Sequence, residues 1–151
     1  QYHFGDKDGI LTAVLVDSFA VLVGELEGLP RAGASLEERV EQFVEGAWSH
    51  IKSPHYRSTF EILLNLPAPE GAEDVPWQKA TLDAWNRIWR RFFGDARVSR
   101  RRTLAIQQYT TSVLSGLAAT KILEGASPTR RRVEIGFLKD TLTRELGRDE
   151  A

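Results

Sequence analysis

The residues with the greatest chemical capacity in this chain are its histidines and its large aromatic side chains. His50 and His55 could bind a metal ion through their imidazole nitrogens, but Pro54 places them on two separate helices and no third ligand follows at a suitable spacing. The chain has no cysteine, and it contains none of the HExxH, GxSxG, GxGxxG or P-loop patterns. We therefore expect no metal site and no cofactor, and no residue pattern favours an enzyme.

Aromatic residues recur at helical spacing on the segment that begins near Pro76. Trp85 and Trp89 lie one turn apart there, Thr81 lies one turn before them, and Arg87 falls on the opposite arc. Such stripes usually belong to a core, but rings interleaved with hydroxyl and amide groups also suit an apolar cavity that orients a small molecule. The residues expected to line it are Trp48, Tyr56, Phe60, Gln78, Thr81, Trp85, Trp89 and Tyr109.

The elements that would position these side chains are helices. Apolar residues recur at spacings of three and four, and no segment shows the alternation typical of a strand. Asp6 is a candidate N-cap, Ser35 and Glu38 have the form of a capping box, and Ser53 precedes a proline at a first helical position. The pattern predicts an all-α bundle of about six orthogonal and antiparallel helices, at about 7–28, 36–51, 54–66, 76–93, 99–124 and 128–147.

Composition limits the class of protein. The 151 residues suit one compact domain, and 42% hydrophobic with 27% charged residues is an ordinary globular mixture. The formal net charge of −1 gives no overall field that favours nucleic acid or an anionic membrane. The first residues are polar and lack a secretory pattern, so we expect a cytoplasmic location.

A compact motif stands at the start of the first predicted helix. Residues 2–5 read Tyr-His-Phe-Gly, Lys7 opens the helix, and paired apolar residues follow at 10–11. This pattern resembles the junction in the tetracycline-repressor-like (TetR) family of bacterial regulators, where the recognition helix ends and the sensing domain begins. Gln1 stands where many members of that family have a second aromatic residue.

The resemblance implies two parts. Residues 1–5 would be the end of a DNA-binding head, with a turn at Gly5 and Asp6, and residues 6–151 would be a ligand-binding and dimerisation domain. In a full-length dimer, Tyr2, His3 and Lys7 would contact the DNA backbone, which gives affinity and register rather than sequence readout. The sequence lacks the helix-turn-helix itself and contains no methionine. We therefore expect a piece of a longer protein that does not bind an operator alone.

Eighteen consecutive residues, 103–120, carry no charge. A surface helix normally has a charged stripe, so this helix needs cover on all sides. A membrane span requires about 20 apolar residues, and the clustered Gln, Thr and Ser side chains argue against one. The centre of a monomeric bundle is an alternative, but we favour a homodimer in which the last two helices of each subunit form an intersubunit four-helix bundle. The expected interface residues are Leu104, Thr111, Ser115, Ala118, Ile122, Phe137, Leu138 and Leu142.

The resemblance and these patterns together imply the sensing domain of a ligand-responsive transcriptional repressor. Its expected partners are a second copy of the chain, operator DNA through the head, and a small hydrophobic or aromatic effector, with no membrane. The alternative is a helical small-molecule carrier or enzyme with an aromatic-lined cavity, which would act on its ligand without any effect on DNA. A structural dimerisation module would have no cavity at all.

Overall fold

The computed structural model describes residues 4–65, 76–124 and 131–150. They form the all-α fold that the sequence predicts, with no strand in these ranges, and the expected start of the last helix near 128 lies outside them. The helices are α1 (Phe4–Glu25), α2 (Leu36–Ile51), α3 (Pro54–Leu64), α4 (Pro76–Phe93), α5 (Arg100–Glu124) and α6 (Arg132–Leu146).

The starts of α2 and α3 confirm the capping signals in the sequence. The backbone N–H of Glu38 donates to Ser35 Oγ at 3.2 Å, and the Glu38 carboxylate accepts from the backbone N–H of Ser35 at 2.8 Å. Ser53 Oγ accepts from the backbone N–H of Tyr56 at 3.2 Å. These bonds satisfy amides that would otherwise lack partners in the first helical turn.

The ends of α1 differ from the prediction. We expected Asp6 to cap the helix after a turn at residues 5–6, but the helix already begins at Phe4. A carboxylate is favourable both at an N-cap and inside the first turn, so the residue type alone does not select between them. The helix ends at Glu25, before the expected end at Gly28, which has a φ of +76° that glycine adopts without strain.

α2 is the central helix, and it packs against each of the other five. Its buried Phe43 contacts four aromatic rings of α4, with ring centroids 5.3–5.8 Å apart. Much of the aromatic stripe on α4 therefore belongs to the core, as such stripes usually do.

The end of α1 crosses α2 at very short range. Leu26, directly after α1, is 1% exposed, and a Cβ atom built on Gly46 would lie 2.4 Å from its Cδ2 atom. Because no larger residue fits at position 46 without movement of Leu26, the glycine permits this close approach.

Ion pairs hold α6 against α2. Glu45 accepts from Arg132 Nη2 at 2.7 Å and from Lys139 Nζ at 2.6 Å, and Lys139 also pairs with Glu41 at 2.7 Å. The hydrogen bond from Arg132, with help from Lys139, lowers the pKa of Glu45 to about 2, although burial opposes this shift. α6 is thus fixed to the central helix by charge as well as by its buried leucines.

No helix in the described ranges is both long and apolar enough to cross a bilayer. The uncharged stretch of α5 is interrupted by buried polar side chains, among them Gln107 and Thr110. Thr110 is fully buried because its Oγ1 donates to the Ile106 carbonyl at 2.8 Å, which satisfies the hydroxyl inside its own helix.

Candidate functional site

A cavity of about 450 Å³ lies among α1, α2, α3, α4 and α5. Most of its surface is apolar, with Leu15 and Phe19 of α1, Phe60 of α3, Trp85 of α4 and Leu114 of α5 on different sides. Gln78, Leu82 and Thr111 also line it and are exposed, which places its opening beside them. Its size and apolar lining are typical of sites for small organic molecules.

No charged side chain from the described part of the chain lines this cavity. Its polar groups are hydroxyls, one amide, one indole and one imidazole. The Thr81 hydroxyl and the Trp85 indole N–H are covered by neighbouring atoms and have no hydrogen-bond partner among the described residues. An unpaired carboxylate or ammonium would lose its hydration here without compensation, so the cavity suits uncharged molecules.

A polar corner of the cavity, formed by Ser18, His50 and Tyr56, joins α1, α2 and α3. Ser18 Oγ lies 3.4 Å from His50 Nε2, and the rings of His50 and Tyr56 meet edge to face at 5.2 Å. Burial and the nearby His55 lower the pKa of His50 to about 4, so its imidazole is neutral at pH 7. Burial also raises the pKa of the Tyr56 hydroxyl, which therefore stays protonated.

The order Ser18, His50, Glu25 invites comparison with a hydrolytic triad. Glu25 Oε2, however, lies 3.9 Å from His50 Nδ1, which is too long for a hydrogen bond. A pKa of about 4 makes His50 a weak base at neutral pH. Ser18 also lies within α1, where backbone N–H groups are used by the helix and cannot stabilise an oxyanion. The arrangement is suited to binding a polar group rather than to proton abstraction.

The structure separates the eight residues expected to contact a ligand into two groups. Trp48 and Trp89 are buried in the core outside the cavity, where Trp89 packs edge to face against Phe43 of α2. Tyr109 is exposed in a groove between α5 and α6. The residues that do line the cavity are Tyr56, Phe60, Gln78, Thr81 and Trp85.

Sequence reasoning missed the contribution of α1. Leu15, Ser18, Phe19 and Leu22 all line the cavity. α1 is apolar on several faces, so its periodicity does not identify the side that meets a ligand. The single hydroxyl of Ser18 at a buried position was the available signal, because a buried polar group needs a nearby partner.

The histidines do not form a metal site in the described ranges, where no group of three or more potential ligands comes together. His50 belongs to the polar corner, whereas His55 lies near the surface, with its Nε2 atom 3.6 Å from Asp17 Oδ2. The two side chains therefore lie in different surroundings.

The structure also corrects the expected interface. Ala118, Leu138 and Leu142 are buried in the core of their own chain, so they cannot belong to a surface that meets a partner. The sequence showed two uncharged faces of α5 and a broad apolar arc on α6, but it did not show which side packs inward. Ser115 lines the cavity with Thr111, and Ile122 packs against the core.

A different uncharged face of α5 remains open. Leu104, Gln108, Ser112 and Gly116 recur every four residues and are exposed, and nothing lies within 4 Å of a Cβ built on Gly116. Leu123, 85% exposed, extends the same stripe by two turns. This face is narrow and lacks charged side chains.

α6 continues this face. Arg102 near the start of α5 pairs with Glu145 near the end of α6, so the two helices run antiparallel. Seven residues on from Arg102 is Tyr109, and eight residues back from Glu145 is Phe137, which places both at the same level. Phe137 is 65% and Tyr109 is 42% exposed. Val133, one turn from Phe137, is exposed as well.

The motif residues lie at the edge of the described chain. Tyr2 and His3 are outside it, and Lys7 is the fourth residue of α1. The helix that follows the motif is therefore the same helix that forms one wall of the cavity.

No protein-family model matches this chain, and no curated protein or solved structure is significantly similar to it.

Proposed function

We propose that this chain is the ligand-binding and dimerisation domain of a transcriptional repressor of the TetR type, acting in the cytoplasm. The observation that carries the proposal is that α1 begins at the motif and also forms a wall of the cavity through Leu15, Ser18, Phe19 and Leu22. A molecule in the cavity would contact the helix that leads to the DNA-binding head. The sequence motif and the site thus share one structural element.

The proposed mechanism is a shift between two positions of α1. In the full-length dimer, two recognition helices would enter major grooves about 34–36 Å apart, and Tyr2, His3 and Lys7 would contact phosphates. An effector that binds better to one position of α1 changes that spacing and lowers affinity for the operator. A tenfold change in affinity requires about 1.4 kcal/mol of differential binding.

The proposed homodimer uses the open face of α5 and α6. This face combines exposed Leu104, Tyr109 and Phe137 with small residues such as Ser112 and Gly116, which allow close approach of a partner helix. A twofold axis would bring the same face of a second copy against it, and two helices from each subunit would form a four-helix bundle. Between Leu104 and Leu123 the exposed stripe of α5 carries no charge, which supports such an interface, while Asp140 and Arg144 lie on the exposed stripe of α6 beside Phe137.

The proposal is tested with the protein that includes the residues encoded before Gln1. A helix-turn-helix pattern is expected within the few dozen residues upstream. Binding of this protein to its own promoter DNA, measured by fluorescence anisotropy at fixed salt, should weaken about tenfold or more when an effector from a neutral aromatic library saturates the cavity.

Two tryptophan substitutions on α4 separate a cavity effect from a general one. Thr81→Trp adds a large ring inside the cavity, whereas Arg87→Trp adds the same ring at an exposed position on the same helix. The first variant should bind DNA but fail to respond to the effector, and the second should respond as the parent does. Tight effector binding with no change in DNA affinity would instead favour the carrier alternative.

A further inference from the structure

Three of the polar side chains that line the cavity, Ser18, His50 and Tyr56, meet at one corner, while the unpaired groups of Thr81 and Trp85 lie on α4. The Tyr56 ring is held between His50, which it meets edge to face at 5.2 Å, and Phe60, on which it stacks at 5.7 Å. A phenol can donate one hydrogen bond and accept others. The corner therefore offers a phenol, held by ring contacts, to a ligand in a cavity whose surface is mostly apolar.

The lack of charged side chains around the cavity favours uncharged ligands. His50 is neutral at pH 7, and none of the other described residues that line the cavity carries a charge, so neither an anion nor a cation would find a counter-charge among them. The Glu25 carboxylate, with Oε2 3.9 Å from His50 Nδ1, is outside the cavity lining. An uncharged molecule loses far less hydration on entry.

From these observations we infer that the effector is an uncharged, mainly apolar molecule with one carbonyl or hydroxyl oxygen, and that this oxygen accepts a hydrogen bond from Tyr56. The apolar body lies among Phe19, Phe60 and Leu114, while the oxygen lies at the junction of α1, α2 and α3. The inference rests on the proposed function only in treating this cavity as the effector site. It also explains how a ligand would be oriented with its polar end towards Ser18 on α1.

Three probes of similar shape test the inference: benzophenone, diphenylmethane and 4-benzoylbenzoate. Diphenylmethane lacks the carbonyl oxygen, and 4-benzoylbenzoate adds a negative charge. Binding to the 151-residue chain at pH 7 is measured by equilibrium dialysis, since this reads affinity without using tryptophan fluorescence. 4-Benzoylbenzoate should bind at least about tenfold more weakly than benzophenone, because its carboxylate has no counter-charge.

The decisive comparison is between Tyr56→Phe and Tyr109→Phe. In Tyr56→Phe the ratio of benzophenone affinity to diphenylmethane affinity should fall by about 3- to 10-fold, as expected for the loss of one hydrogen bond. Diphenylmethane itself should bind this variant as it binds the parent, which also shows that the cavity is intact. Tyr109→Phe removes a hydroxyl outside the cavity and should leave the ratio unchanged.

An unchanged ratio in Tyr56→Phe, equal binding of 4-benzoylbenzoate and benzophenone, or no measurable binding of any probe at 1 mM (roughly the weakest useful affinity) would each overturn the inference. Dialysis does not involve DNA, so these outcomes are independent of the promoter-binding test. Neutral probes that bind as expected without any effect on DNA would refute the repressor and leave the ligand class standing.

Discussion

Replacement of Phe137 by alanine tests the homodimer most directly. The Phe137 side chain is 65% exposed in one chain. Complete burial of a phenylalanine contributes about 1.5–3 kcal/mol, so burial of the exposed share contributes about 1–2 kcal/mol. The twofold axis places two copies of Phe137 in the interface, so the substitution should remove about 2–4 kcal/mol of the free energy of dimerisation. The dimer dissociation constant should rise by about 30- to 700-fold.

Sedimentation equilibrium over a range of micromolar concentrations measures the dimer dissociation constant. Leu64→Ala is the matched control, because Leu64 is 60% exposed at the end of α3 and is not part of the proposed interface. The control should dimerise as the parent does. If Phe137→Ala also dimerises as tightly as the parent, or if the parent is a monomer at high micromolar concentration, the proposed interface is refuted.

Three further substitutions test the packing that supports the site. Glu45→Gln should lower the free energy of unfolding by about 1 kcal/mol at pH 7, since the partly exposed ion pairs are screened by solvent. The pKa of Glu45 is lowered from 4.5 to about 2. The difference in free energy of unfolding between parent and variant should therefore be full above pH 4.5 and shrink as the pH falls towards 2. Urea unfolding that shows the same difference at every pH would contradict this. Gly46→Ala should destabilise the fold by about 1–3 kcal/mol through its clash with Leu26, whereas Gly24→Ala, with nothing within 4 Å of its Cβ, should stabilise it by up to about 1 kcal/mol. Thermal unfolding compares the two, and equal shifts would rule out the close approach. Ser35→Ala should cost about 1 kcal/mol and Ser35→Asp much less, because aspartate still accepts from the first-turn amide; equal losses in urea unfolding would show that the cap contributes little.

The helices of this fold could be predicted because their signals are local. Ser35 and Ser53 stand directly before the helices they cap, and Gly94 follows the last residue of α4. Each signal lies within one turn of the helix end that it marks. The start of α1 was predicted wrongly because an aspartate such as Asp6 is favourable both at the N-cap and within the first turn of a helix.

The inward face of α5 could not be predicted, and the reason is its lack of charge. Periodicity identifies an inward face by contrast with a charged one, and residues 103–120 offer no such contrast. Thr110 is fully buried because it bonds to its own helix, while its neighbour Tyr109 is 42% exposed. Residue type alone would have placed these two side chains the other way round.

An aromatic-lined cavity was predicted from the sequence, but only some of the residues that line it were. Trp85 and Trp89 share one stripe on α4, yet Trp85 lines the cavity and Trp89 is buried beside Phe43. Which of the two meets the cavity depends on the crossing of α1 and α2 over α4. That crossing is set by contacts distant in sequence, such as the approach of Leu26 to Gly46.

The close contact between Leu26 and Gly46 would allow α1 to pivot about its C-terminal end, as a lever does. With 1.5 Å of rise per residue, Ser18 is eight residues or about 12 Å from this fulcrum, and Phe4 is 22 residues or about 33 Å from it. If the helix swings as a rigid rod about Leu26, a push of about 1 Å near Ser18 carries the first turn through about 3 Å, in the ratio of these two arms. The position of the Leu26–Gly46 contact thus determines how far the start of α1 moves for a given displacement near Ser18.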